Sequence, residues 1–278
     1  ARRGAKVVVN DLGGTARGEG QDLSVAERTV EEIKAAGGEA LANTNSVVQG
    51  EKLVEAAIEA YGQVDIIINN AGILRDVAFH KMSEDDWRLM FDVHVHGAYA
   101  VTRAAWPLMR ERGYGRIVNT TSGAGLHGNF GQVNYSAAKL AVYGMARSLA
   151  AEGAAKGIFV NTIAPAAASR MTETVMPPAM LKALKPELVT PLVVLLCHEN
   201  SQTTGDLFEV GGGWVSQLRW QGTEGAAFDA QKGFSPEELQ AQWTSVTNFD
   251  DAYNPADVTA CLTRIGRNIG VDLSFQKQ

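Results

Sequence analysis

Tyr135 and Lys139 stand four residues apart in the run Tyr135-Ser136-Ala137-Ala138-Lys139. On a helix that spacing puts both side chains on one face, so an ammonium can lie beside a phenol. A free tyrosine ionises near pH ~10, too high for a base at neutrality. A neighbouring cation stabilises the phenolate and lowers that value, and the phenol then serves as general acid/base for an alcohol proton. By itself the pattern is weak: composition alone produces it in roughly one chain in two of this length, as a packed tyrosine with a solvated lysine. Two further segments strengthen it. Ser122 lies just past the apolar run Arg116–Thr120, where its hydroxyl can bond a substrate oxygen next to the phenol. Asn69-Asn70-Ala71-Gly72 follows another apolar run, and small residues with an amide at a strand end suit close approach of a flat ring or a ribose. The alternative there is a plain Asn-Gly-type turn.

The elements that must position these residues alternate. Lys6–Asn10, Glu39–Asn43, Val64–Ile68, Arg116–Thr120, Ile158–Ile163 and Asp206–Val210 read as strands. Between them lie helical patterns at Val25–Ala35, Glu51–Tyr61, a long segment from Ser83 to about Arg112, Tyr135–Lys156 and Pro191–His198. Short continuous apolar strands alternating with helices predict an α/β fold, a doubly wound parallel sheet of the Rossmann-like kind with helices on both faces. Ligands in such folds bind beyond the carboxyl ends of the strands, where Asp11, Asn70 and Ser122 fall. Asp11 closes the first strand. A carboxylate there accepts hydrogen bonds from ribose hydroxyls and repels a 2′-phosphate, favouring NAD over NADP; its alternative is to cap the loop Asn10-Asp11-Leu12-Gly13-Gly14. Gly18-Glu19-Gly20 is not a dinucleotide loop, because Leu23 stands where a third glycine is needed. Past Gly211-Gly212-Gly213 the pattern loosens. Ser235-Pro236 and Asn254-Pro255 each read as a helix start. Residues 1–214 are expected to form the main domain and 215–278 a C-terminal helical extension packed on it, too short for a core of its own.

Bulk properties narrow the function. Of 278 residues, 45% are hydrophobic and 20% charged, and the net charge is -6. Nothing basic argues for nucleic acid, no apolar run is long enough to insert in a membrane, and no metal-ligand pattern occurs. The chain shows no targeting signal. Only Cys197 and Cys261 are present, which suits a reducing compartment.

Asn69-Asn70-Ala71-Gly72, Ser122 and Tyr135 with Lys139, in this order and spacing, resemble the short-chain dehydrogenase/reductase family over residues 1 to about 214. The resemblance implies Tyr135 as acid/base, Ser122 orienting the carbonyl, and Lys139 holding the nicotinamide ribose while lowering the tyrosine pKa. It implies that the double-asparagine motif, carried here to Asn70, stiffens the central sheet beside the cofactor, that Asn70, Ala71 and Gly72 bind the cofactor together with Tyr135 and Lys139, and that Ser46 and Val47 meet the adenine. In Asp92-Val93-His94-Val95-His96-Gly97, His94 occupies the family's fourth catalytic position, usually an asparagine in a water-mediated proton relay. A neutral imidazole can relay a proton or simply fill space. The family's opening strand and T-G-x-x-x-G-x-G turn are not found in residues 1–278, and the expectation is a fragment lacking roughly 20–30 leading residues, the length of a strand plus a helix.

Gly72-Ile73-Leu74-Arg75-Asp76, Gly128-Asn129-Phe130-Gly131-Gln132, Ser169-Arg170-Met171-Thr172 and Leu196-Cys197-His198-Glu199 resemble one branch, the (3R)-hydroxyacyl-CoA dehydrogenase units of type 2 multifunctional enzymes. That branch implies NAD-dependent oxidation of a (3R)-3-hydroxyacyl-CoA to the 3-oxoacyl-CoA in fatty acid β-oxidation, by a homodimer, peroxisomal in a eukaryote or cytoplasmic in a bacterium. Ala166-Ala167-Ala168 depart from the branch, which has Asn and Gly there. The alternatives are a 3-oxoacyl reductase or steroid dehydrogenase of the same family, or an inactive NAD-sensing scaffold.

Overall fold

The computed structural model describes residues 1–169 and 177–272, in two compact units, Ala1–Leu218 and Arg219–Gln278. From Arg170 on, the run Ser169-Arg170-Met171-Thr172 lies outside the described residues, as does the terminal stretch 273–278.

The first unit runs β1 (Lys6–Asn10), α1 (Ser24–Ala35), β2 (Glu39–Asn43), α2 (Gly50–Tyr61), β3 (Ile66–Asn69), α3 (Glu84–Phe91), α4 (Gly97–Arg112), β4 (Gly115–Thr120), α5 (Gly123–His127), α6 (Val133–Gly153), β5 (Ile158–Ala166), α7 (Pro178–Ala183), α8 (Thr190–Cys197), β6 (Leu207–Gly211) and β7 (Trp214–Leu218). β1 pairs with β2 in parallel. A second sheet has the order β3-β4-β5-β6-β7, parallel through β6, with β7 returning antiparallel at the edge. This is the doubly wound α/β arrangement expected from the alternation. β7 was not foreseen; it places Trp214–Leu218 in the sheet instead of in the extension. β1 and β3 are not hydrogen-bonded to each other, and residues of both line one cavity of about 560 Å³.

β4 lies between β3 and β5 in the larger sheet, and all six of its residues are buried. On one face Ile117, Val160 and Ile158 pack with Ala105, Met109, Ala146 and Ala150 of α4 and α6. On the other, Val118, Ile163 and Val210 meet Leu192, Leu196 and Cys197. Burial of strands on both faces is why they read as continuous apolar runs. The sheet therefore holds the carboxyl ends of β3, β4 and β5 rigidly side by side, with Asn69 opposite Asn119.

The segment from Ser83 to Arg112 is helical throughout, as expected, with Ser83 accepting from the Asp86 N–H at its start. Its middle, Asp92–His96, is a π-helical turn. Such a turn inserts one residue per turn and rotates the following face, a distortion common at functional sites.

The second unit contains α9 (Pro236–Ala241), α10 (Trp243–Thr247) and α11 (Val258–Ile269). Ser235 caps α9 as expected, in a full capping box with Glu238. α11 is capped by Asp257, not by Asn254. Arg264 pairs with Glu224 through both guanidinium nitrogens, at 2.7 and 2.8 Å, and stacks on Tyr253.

Candidate active site

α6 carries Tyr135 and Lys139 on the face that meets the sheet; Ala138, Val142 and Ala146 bury the same side. The lysine is fully enclosed. Its Nζ donates to the Thr120 carbonyl at 2.8 Å, and its own carbonyl accepts from Thr121 Oγ1 at 2.7 Å. The end of β4 thus fixes both ends of Lys139. α5 presses on α6 at this residue: a Cβ on Gly125 would lie 2.8 Å from the Lys139 Cβ, so only glycine permits the approach. Ser122 caps α5, accepting from the Ala124 N–H at 3.2 Å, and its hydroxyl lies close enough to the Tyr135 phenol to favour the phenolate. The structure therefore brings Ser122, Tyr135 and Lys139 together at the carboxyl end of β4, with the lysine nitrogen 5.6 Å from the tyrosine ring centre.

The electrostatics differ from the expectation of an ammonium drawing the phenol toward neutrality. Burial pushes the Tyr135 phenol above its usual value, the Ser122 hydrogen bond lowers it, and the Asp76 carboxylate raises it further. Burial also pushes Lys139 down to about 7. Both shifts have one cause, since low dielectric disfavours whichever form is charged. In this state the phenol holds its proton at neutral pH.

His94 is 3% exposed, in the π-helical turn. Its Nε2 lies 2.9 Å from the Ile73 carbonyl and 3.2 Å from the Ile73 N–H, and its ring meets Tyr135 edge-on at 5.4 Å. One ring nitrogen serves only one of those backbone groups, so the tautomer decides which. Nδ1 is buried without a partner among the described residues. Burial, and then the nearby lysine charge, pull its pKa down to about 3, so the ring is neutral.

Asn69, not Asn70, braces the sheet: its amide donates to Asn119 Oδ1 at 2.8 Å and to Thr102 Oγ1 at 3.0 Å. Neighbours on a strand face opposite ways, and Asn70 instead meets the Thr120 hydroxyl and lines the cavity. Ala71, Gly72, Ser46, Val47 and Asp11 line it too. Asp11 Oδ1 accepts from the Gly13 N–H at 2.7 Å, so the loop-capping role is present along with the cavity position. Sequence reasoning missed Thr120, Thr121, Asn119 and Asn134. Asn134 is fully buried, and its Oδ1 accepts from the Tyr135 N–H at 2.8 Å. None belongs to a local motif: Thr120, Thr121 and Asn119 act through partners distant in the chain, and Asn134 joins its neighbour Tyr135 to the carbonyls of Arg75 and Asp86.

A doubly wound sheet with a serine hydroxyl, a phenol and a buried lysine converging past its carboxyl edge defines a dehydrogenase/reductase. The chain belongs to the short-chain dehydrogenase family, whose model matches residues 3–179. It is 51% identical over 265 residues to the peroxisomal multifunctional enzyme A of Dictyostelium discoideum, covering 95% of this chain and 59% of that protein. It is similar to the full-length peroxisomal multifunctional enzyme type 2 of Drosophila melanogaster (TM-score 0.82, 34% identity), covering 96% of this chain and 50% of the other. It also matches a short chain dehydrogenase of Mycobacterium avium (TM-score 0.74, 39% identity), over 92% and 90% of the two chains. The chain thus spans only part of the multifunctional enzymes it matches.

Proposed function

We propose that this chain is the unit that oxidises (3R)-3-hydroxyacyl-CoA to 3-oxoacyl-CoA in fatty acid β-oxidation, with NAD. The observation that carries the reading is the convergence of Ser122, Tyr135 and Lys139 beside a cavity that Asp11 also lines. The residues fit a dinucleotide: a carboxylate after β1 for ribose hydroxyls, Ser46 and Val47 on the adenine side, and Asn70, Ala71, Gly72 and Lys139 at the nicotinamide end. When bound, NAD supplies the hydride acceptor. Tyr135 moves the proton between its phenolic oxygen and the C3 oxygen of the substrate, and Ser122 donates a hydrogen bond to that oxygen. Lys139 holds a ribose hydroxyl. His94 is assigned as a positioning group that holds the turn at Ile73 and packs on the phenol, because Nε2 is engaged by the Ile73 backbone and Nδ1 has no partner among the described residues to pass a proton to.

The names of the multifunctional relatives support a peroxisomal setting for a eukaryotic chain; a bacterial one is assigned to the cytoplasm. A homodimer is supported by the exposed Tyr99 on α4, which lines a surface groove with Phe91, Val95 and Met145 as well as Asp92 and His96.

The test is turnover of (3R)- against (3S)-3-hydroxyacyl-CoA by the full-length protein, with NAD and with NADP. The expected result is activity on the R epimer with NAD, and loss of turnover in Tyr135→Phe with cofactor affinity kept. Preference for the S epimer or for NADP would overturn the substrate reading. More than about 10% of kcat remaining in Tyr135→Phe would overturn the acid/base role.

A further inference from the structure

Asp76 takes no part in the chemistry described above, yet it sits at the node of a hydrogen-bond chain that ends on the tyrosine helix. Its Oδ2 accepts from Gln132 Nε2 at 2.8 Å, and Gln132 Oε1 accepts from Asn129 Nδ2 at 2.9 Å. The two bonds fix which end of the Gln132 amide is which. Gln132 is 8% exposed and immediately precedes α6; its carbonyl accepts from the Ser136 N–H at 2.7 Å, in the turn that holds Tyr135. The backbone closes the same seam, with the Val77 N–H on the Gly131 carbonyl at 2.8 Å. Asn134 Nδ2 reaches the Arg75 carbonyl at 3.4 Å, and Arg75 is itself tied to Asp86 at 2.9 Å. Three of these contacts, Asp76 with Gln132, Val77 with Gly131 and Arg75 with Asn134, join residues 75–77 to the residues that lead into Tyr135.

We propose that Asp76 is a positioning residue of the active site: through Gln132 it locks the 129–132 turn and so sets where Tyr135 stands relative to the bound alcohol. The inference rests on the dehydrogenase reading of the site. A carboxylate is a stronger acceptor than a neutral amide, which suits a bond meant to hold a loop. Its charge has a second effect. The groups facing Tyr135 are Ser122, Lys139, the neutral His94 and Asp76, and of these only Asp76 brings a negative charge against the phenol. Asp76 in turn faces Gln132 and the more distant Arg17, while partial burial raises its own pKa.

Three variants of the full-length protein separate the two effects. Asp76→Asn keeps an acceptor for Gln132 and removes the charge. The alkaline-rising limb of kcat/KM for alcohol oxidation is expected to move to lower pH, with KM for the alcohol near the wild-type value. Asp76→Leu and Gln132→Leu break the chain. Each is expected to lower kcat/KM about tenfold or more, as loss of a charge-assisted bond does, and the double variant to be no worse than either single one. Circular dichroism and cofactor affinity should stay as in the wild type. Wild-type kinetics in both leucine variants, additive losses in the double variant, or a limb moved to higher pH in Asp76→Asn would each overturn the proposal. Should the leucine variants fail to fold, the asparagine profile decides alone. All ratios are read with whichever secondary alcohol the wild type turns over, so an error in the substrate class leaves this comparison intact and is seen separately.

Discussion

Replacing Lys139 by methionine is expected to destroy turnover and stabilise the ligand-free fold at neutral pH. Methionine has a similar length and carries no charge. The lysine is completely enclosed, and burial lowers its pKa from 10.5 to about 7. At 1.36 kcal/mol per unit, holding the ammonium in the fold costs about 5 kcal/mol once the group is protonated in both states. Against this, methionine leaves the Thr120 carbonyl without the donor it has at 2.8 Å, a loss of about 1–3 kcal/mol. The balance is a gain of roughly 2–4 kcal/mol, or roughly 5–15 °C in Tm for a unit of this size.

The pH dependence separates this cause from better packing. The folded pKa lies below the unfolded one, so the unfolded state binds the proton more tightly and the wild type gains stability as pH rises. The penalty is full below about 7, declines between about 7 and 10.5, and is absent above, where the neutral amine still donates to Thr120. Methionine has no such penalty. The advantage of Lys139→Met should therefore be constant from pH 5.5 to 7, shrink through pH 8 to 10, and change sign at the alkaline end. Urea unfolding of both proteins across this range measures it, and other titrating groups cancel in the difference. A methionine variant less stable than wild type at pH 6, or a difference that does not vary between pH 6 and 10, would refute the claim that desolvation of Lys139 dominates the site.

A raised tyrosine pKa makes the two directions of the reaction respond oppositely to pH. Alcohol oxidation needs the phenol deprotonated and should rise toward alkaline pH, whereas ketone reduction needs it protonated and should fall there; parallel profiles would remove Tyr135 from the proton transfer. Gly72→Ala puts a methyl 2.6 Å from His94 Cε1 and should cost about 1–3 kcal/mol in stability, most of it recovered when His94→Asn shortens the opposing side chain. Denaturant melts of the single and double variants check this, and additive losses would show that the contact is not the cause.

What the sequence revealed of the fold follows from burial. β4 and most of β5 are covered on both faces, and an apolar run is all that such a strand needs to show; β3 shows the same run although Ile66 and Ile68 are exposed. β7 has no comparable signature: Trp214-Val215-Ser216-Gln217-Leu218 is an exposed edge strand, and three of its five residues are open to solvent. α5 reads Gly123-Ala124-Gly125-Leu126-His127, a composition that favours loops; packing on α6 overrides propensity there. Asn254-Pro255 reads as the start of α11, but Asp257 is an equally good cap, and only the register of the apolar face chooses between them. Tyr135, Lys139 and Ser122 were legible because two share a helix face and the third follows a strand. Which of Asn69 and Asn70 turns inward was not, because it depends on the exact strand end. The tie between Asp76 and Gln132 was not either, since a long-range pair leaves no periodic trace.

The shifts at Tyr135 and Lys139 point to how the site works. Burial moves both groups toward their neutral forms, so the ligand-free pocket is arranged to hold little charge. Alcohol oxidation requires one negative oxygen in that same place. Neither the helix nor β4 needs to move to provide it, because the lysine and the serine are already fixed by bonds to the end of β4 and to α5. What must change is the local potential. A cationic cofactor ring held by Asn70 and Lys139 would favour the phenolate and disfavour a second ammonium, while the Asp76 charge works against the phenolate. The rigid part of the mechanism is therefore position and the adjustable part is charge. The residue that tunes the charge without touching the reacting atoms is Asp76, which is why its neutral analogue should shift the pH profile and its apolar analogue should impair the rate.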